Sequence, residues 1–147
     1  MLPTNGSTRR SWTCLPNRRA LFHRLDAELA RCRRSHATLA VLVCEIDPLP
    51  PRLCKAVASD LRSLCREDDC VARMGEGFVL ALGGFTAQNL PEKRHAIESL
   101  LAKLAPSDPS VARIGAAYYP DDGDYAEDLL ACADLRLNGA EAKAPHG

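Results

Sequence analysis

The chain has 147 residues, 46% of them apolar and 26% charged, with ten prolines, nine glycines and a formal net charge of zero, a composition that fits one globular domain. No apolar run approaches the ~20 residues that cross a bilayer, and the N-terminal MLPTNGSTRR lacks the apolar stretch of a secretory signal. A cytoplasmic protein without a membrane span is expected. With seven aromatic residues in all and no basic patch interleaved with them, nucleic acid is not an expected partner.

Residues 1–11 are polar and without periodicity, which reads as a flexible lead-in before a domain spanning 12–147. From Arg18 to Arg34, Leu21, Phe22, Leu25 and Leu29 recur at helical spacing with arginines opposite, predicting an amphipathic helix. Thr38 to Ile46 (TLAVLVCEI) is an almost continuous β-branched and apolar run, the pattern of a strand buried on both faces. Pro48, Pro50 and Pro51 break the chain, and Leu53, Val57, Leu61 and Leu64 mark a second helix ending near Arg66. Cys70 to Arg73 and Phe78 to Leu82 flank Met74-Gly75-Glu76-Gly77, whose glycines suit a tight hairpin. A third helix is expected over Leu90 to Leu104, a fourth strand over Val111 to Tyr118, a turn at Pro120 to Gly123, and a last helix lined by Leu129, Leu130, Ala133 and Leu137. The order αβαββαβα predicts an α+β sandwich, with helices packed on a four-stranded sheet.

Seven cysteines, odd in number and without a C-x-x-C pair, fall mostly inside apolar segments and read as reduced core residues. His23, His36, His95 and His146 are not clustered at metal-ligand spacing and read as surface residues. Charge is uneven: residues 1–34 hold eight arginines against two acids, and residues 121–141 hold seven acids against Arg136. Two readings follow, poles that meet in the fold and poles that dock a partner. No nucleophile motif or P-loop is present.

Six segments stand in one register: Thr13 to Arg19 (TCLPNRR), Glu45-Ile46-Asp47, Arg66 to Gly75 (REDDCVARMG), Arg113 to Ala116 (RIGA), Tyr119 to Gly123 (YPDDG) and Ala133-Asp134. Together they resemble the GGDEF domain, the diguanylate cyclase family related to the palm-like nucleotide cyclases. The resemblance runs from Thr13 to Asn138 and implies a palm-like sandwich on a central mixed β-sheet. It also implies a bacterial second-messenger setting, in which two GTP molecules are joined with Mg²⁺ into cyclic di-GMP.

The departures fall on the groups that this chemistry needs. The resemblance implies metal ligands at Glu45 and Glu76, the latter in a turn one residue short, with Gly77 where the family has glutamate. Between Asp47 and the hairpin this chain lacks the family's guanine-contacting stretch and carries the Pro48 to Pro51 segment instead. Asn138 and Glu141 stand where the family has a tyrosine and a phosphate-binding lysine, and Lys143 matches that lysine only after a two-residue slip. Arg113, on a strand expected beside the Glu45 strand, replaces a serine and is suited to charge-assisted pairing with either acid. A vestigial Mg²⁺ site at Glu45 and Glu76 is thus set against an acidic pair neutralised by arginine.

Arg66 and Asp69 match the family's inhibitory R-x-x-D, which implies a cyclic di-GMP site with Arg94 or Lys93 as a third basic contact. With 15 arginines and 11 aspartates such a tetrad arises by composition alone, so its register with Arg73 and Gly75 carries the reading. The plain alternative is a helix C-terminus at Arg66 and a turn begun by Asp69. The functional expectation is a catalytically inactive GGDEF-like regulatory module without a cofactor, with cyclic di-GMP or a protein as partner. Docking without nucleotide and an active diguanylate cyclase are the alternatives.

Overall fold

The run TLAVLVCEI becomes the inner strand β1 (Leu39–Ile46), and both of its faces are covered. The computed structural model describes residues 18–46, 51–66, 69–74, 77–104 and 112–143; the expected lead-in 1–11, the opening motif at 13–17, Asp47 and Glu76 lie outside the described residues. Around β1 stand α1 (Arg18–Ser35), α2 (Pro51–Ser63), β2 (Cys70–Met74), β3 (Gly77–Gly83), α3 (Leu90–Leu104), β4 (Ala112–Tyr119) and α4 (Ala126–Lys143), in the expected order.

The sheet order is β2-β3-β1-β4 and each neighbouring pair is antiparallel, which corrects the expected mixed sheet. Each helical crossover does return a parallel strand, β1 to β2 and β3 to β4. In both cases another strand lies between the two, so no parallel pair is hydrogen-bonded, the split arrangement of a ferredoxin-like sheet.

Alternation along the strands sends two sets of side chains to opposite faces. Val41, Val43, Ala72, Val79 and Ala117 meet Leu25, Leu29, Leu129 and Ala133 of α1 and α4. Leu42, Cys44, Val71, Leu80 and Ala116 meet Val57, Leu61, Ile97 and Leu101 of α2 and α3. Two covered faces explain why β1 needs no polar residue before Glu45. Helix α1 stops without glycine or proline: His36 takes φ 57°, and the Ala37 amide donates to the Cys32 carbonyl at 3.0 Å.

Gly115 sets the distance between β4 and α4, because a Cβ there would lie 2.1 Å from the Ala133 carbonyl oxygen and 2.5 Å from the Leu137 nitrogen. Six free cysteines lie among the described residues. Burial is the main cause raising Cys44 and Cys70 to about 12 and Cys65 to about 11, so these thiols stay protonated and act as small apolar side chains. Among the described residues, no helix is long and apolar enough to cross a membrane.

Candidate functional site

Two groups of sequence-predicted residues lie at opposite ends of the sheet. Glu45 closes β1, and its partners in the ladder are Gly77 of β3 and Arg113 of β4. Directly paired residues of an antiparallel ladder point to the same face. The Arg113 Nη2 accordingly donates to Glu45 Oε1 in an ion pair whose side chains are 40% and 34% exposed. The Glu45 carboxylate is therefore engaged by a cation that the sequence supplies.

Gly77 closes the same end from the other side. A Cβ on it would lie 2.0 Å from the Cys44 carbonyl oxygen, so the position that resemblance gives to a glutamate admits no side chain while β3 runs this close to β1. Glu76, the second expected metal ligand, lies outside the described residues. Among the described residues no cluster of three His, Cys, Asp or Glu is placed to hold a metal. A divalent ion needs several carboxylate or carbonyl oxygens. Among the described residues this end of the sheet offers such an ion one carboxylate, and that one is already bonded to a guanidinium.

At the opposite end, Arg66 and Asp69 form the turn between α2 and β2. Asp69 is buried, and both of its carboxylate oxygens accept from backbone amides, Oδ2 from Arg66 at 2.9 Å and Oδ1 from Gly83 at 3.2 Å. Arg62 secures the same turn by donating to the Asp69 and Arg66 carbonyls. The Arg66 side chain stays 67% exposed, with Nε 3.7 Å from Asp69 Oδ2 and Nη2 donating to the Gly83 carbonyl. A cavity of about 270 Å³ lies between this turn and the end of α1, with Arg66 and Asp69 on one wall and Arg31 and Cys32 on the other.

Arg94 does not join this group. Its Nη2 donates to the Ile114 carbonyl at 2.7 Å, and its Nε lies 3.4 Å from Glu98 Oε2. Lys93 is the cation beside the turn, donating to the Leu64 carbonyl with its Nζ 5.9 Å from the Phe85 ring centre. Successive helical residues point about 100° apart, so α3 offers one to α2 and the other to β4, and spacing alone left the choice between them open.

A third polar cluster escaped the sequence reading. Arg136 of α4 grips Asp122 with two bonds, Nη1 to Oδ2 at 2.8 Å and Nη2 to Oδ1 at 3.0 Å, and donates also to the Ala116 carbonyl at 2.9 Å. The Tyr118 amide donates to Asp122 Oδ2 at 2.8 Å. These bonds, with Arg136 first, hold the Asp122 carboxyl below its ordinary value and outweigh its desolvation. The available signal was the lone arginine among the acids of residues 121–141. Nearby, Asn138 is exposed and donates to the Asp134 carbonyl at 3.2 Å, and the backbones of Glu141 and Lys143 form the last turn of α4.

The family described as diguanylate cyclase, GGDEF domain, matches residues 10–49 and 52–145. The diguanylate cyclase DgcP of Pseudomonas aeruginosa is 35% identical over 105 aligned positions, 63% of this chain and 15% of that protein. The cyclic di-GMP phosphodiesterase NbdA of the same organism is 28% identical over 152 aligned positions, 90% of this chain and 19% of that protein. The chain thus spans less than a fifth of either relative. Among solved structures, a sensory box/GGDEF family protein from Caulobacter crescentus superposes with a TM-score of 0.65 at 27% identity, covering 90% of this chain and 97% of that one. With the family's motifs in register and its fold in place, the chain belongs to the GGDEF domain family.

Proposed function

We propose that this chain is a catalytically inactive GGDEF domain that serves cyclic di-GMP signalling as a regulatory module. The observation that carries the reading is the engagement of Glu45 by Arg113 beside a Gly77 that cannot bear a side chain. Joining two nucleoside triphosphates requires metal at carboxylates, a clamp on the phosphates and a base pocket that brings the reacting groups together. The first is opposed by a resident guanidinium, and at the positions of the other two the sequence carries different residues, the Pro48 to Pro51 segment for the guanine-contacting stretch and Glu141 for the phosphate lysine. The likeness to one protein named for cyclic di-GMP synthesis and to another named for its breakdown supports a place in cyclic di-GMP signalling. The test is incubation with GTP and Mg²⁺ followed by chromatography. No cyclic di-GMP above buffer is expected, and product that disappears in Glu45→Ala overturns the proposal.

A second reading, reception of cyclic di-GMP at Arg66, is supported by the exposed guanidinium beside the 270 Å³ cavity. A planar guanidinium fork matches a phosphate or a guanine edge bidentately. Asp69 contributes by fixing the turn that carries Arg66. Calorimetric titration with cyclic di-GMP tests this, and binding that survives Arg66→Ala places the nucleotide elsewhere. Absence of binding leaves a module that docks protein alone.

A further inference from the structure

The described parts of the two charge poles, on α1 and α4, lie on one face of the sheet. Helices α1 and α4 cover the same side of the sheet. Two side chains of α1 hold the start of α4: Asp26 Oδ1 accepts from the Ala126 amide at 3.1 Å, and Arg33 donates to the Asp124 carbonyl at 3.0 Å. Outward from α1 stand Arg19, His23 and Arg34; outward from α4 stand Glu127, Asp128 and Asp134, with Asp121 and Asp124 at its head. Among the described residues, no ion pair joins Arg19 or Arg34 to any of these acids. The exposed large hydrophobic residues of the described chain, Tyr125 at 61% and Leu135 at 69%, belong to α4 and its approach.

We propose that the outer face of α1 and α4 docks a second copy of this chain. A basic strip beside an acidic strip is self-complementary: a two-fold axis lying in the plane of the face, parallel to the helices, lays each α1 over the partner's α4, and both charge contacts form at once. An acidic or basic partner of another kind would satisfy one strip and repel the other. Each helix has 18 residues, about 27 Å of strip, and neighbouring axes lie about 8–10 Å apart. The face therefore offers roughly 500 Å² per copy, below the ~800 Å² of a standard interface, so the pairing is weak and reversible. Leu135, among the acids of α4, gives it an apolar contact. This inference goes beyond the proposed function and does not depend on it.

Sedimentation velocity on the full chain tests the proposal. At about 300 µM protein the wild type is expected to sediment as a dimer at about 20 mM salt and as a monomer at about 500 mM, where screening acts within about 4–5 Å. Arg19→Glu/Arg34→Glu and Asp128→Lys/Asp134→Lys should each be monomeric alone and should form a heterodimer when mixed, since one carries two acidic strips and the other two basic ones. Leu135→Ser, which alters no charge, should weaken the wild-type dimer several-fold, and circular dichroism checks that each variant is folded. A wild type that stays monomeric at low salt overturns the proposal. So does a dimer indifferent to both charge variants and to Leu135→Ser, which places the contact elsewhere. Monomeric wild type that binds vesicles of anionic lipid overturns it in favour of a membrane surface for α1.

Discussion

Arg113 of β4 and Glu45 of β1 are direct partners across the ladder, and the guanidinium donates to the carboxylate at the end of the sheet where metal chemistry is expected of this family. Both side chains keep more than a third of their surface in solvent, so the pair belongs with ion pairs worth at most about 1 kcal/mol and not with buried ones. Arg113→Ser should therefore lower stability only slightly, which urea unfolding would measure. Millimolar Mg²⁺ should leave the thermal midpoint of the parent unchanged, because a ligand stabilises only if it binds the folded state. A parent midpoint that rises with Mg²⁺ would show a working metal site at Glu45.

Asp69 and Arg66 separate by their roles. Asp69→Ala removes the acceptor for two amides in a buried turn and should cost about 1–3 kcal/mol. Arg66→Ala, at a side chain largely in solvent, should change stability by less than about 0.5 kcal/mol. If cyclic di-GMP binds, Arg66→Ala should weaken it by at least about 1.5 kcal/mol in calorimetry. Equal stability losses from the two substitutions would contradict this division.

Restoring the family's glutamate in the hairpin should harm the protein without rescuing activity. In Gly77→Glu the new Cβ meets the Cys44 carbonyl, and in Gly115→Ala it meets the backbone of α4. Backbone cannot yield as a side-chain tip can, so each substitution should cost at least about 1–3 kcal/mol. Thermal melts check both, and an unchanged midpoint in Gly115→Ala would mean that α4 does not sit this close to β4.

Asp122 gives the molecule an acid-sensitive contact. Its folded-state pKa lies below the ordinary 3.8 because Arg136 favours the ionised form. The bond therefore contributes fully above that value and is lost as pH falls through the depressed folded pKa. Asp122→Asn should melt below the parent by a constant margin at neutral pH, and the margin should shrink as pH falls below the ordinary 3.8 and through the depressed folded value. A margin that persists at the acid end would assign the effect to the turn's shape and not to its charge.

Periodicity and punctuation in the sequence determined the elements: the uninterrupted TLAVLVCEI announced a strand covered on both faces, and Leu90–Leu104 is a helix over the residues its pattern marked. The register of Glu45, Arg66, Arg113 and the YPDDG turn pointed to the family, because short motifs at fixed spacing are a property of the chain alone. Tertiary structure decided what no local pattern encodes. Strand neighbours depend on which segments meet after the crossovers, so the sheet proved antiparallel and not mixed. Helix rotation chose Lys93 over Arg94 for the Arg66 turn, and the approach of β3 to β1 turned Gly77 from a missing glutamate into a position with no room for one. The partner of Arg136 lies 14 residues away across a turn, and the partner of Glu45 lies 68 residues away across the ladder. An ion pair is fixed by geometry that only the assembled sheet and helices supply.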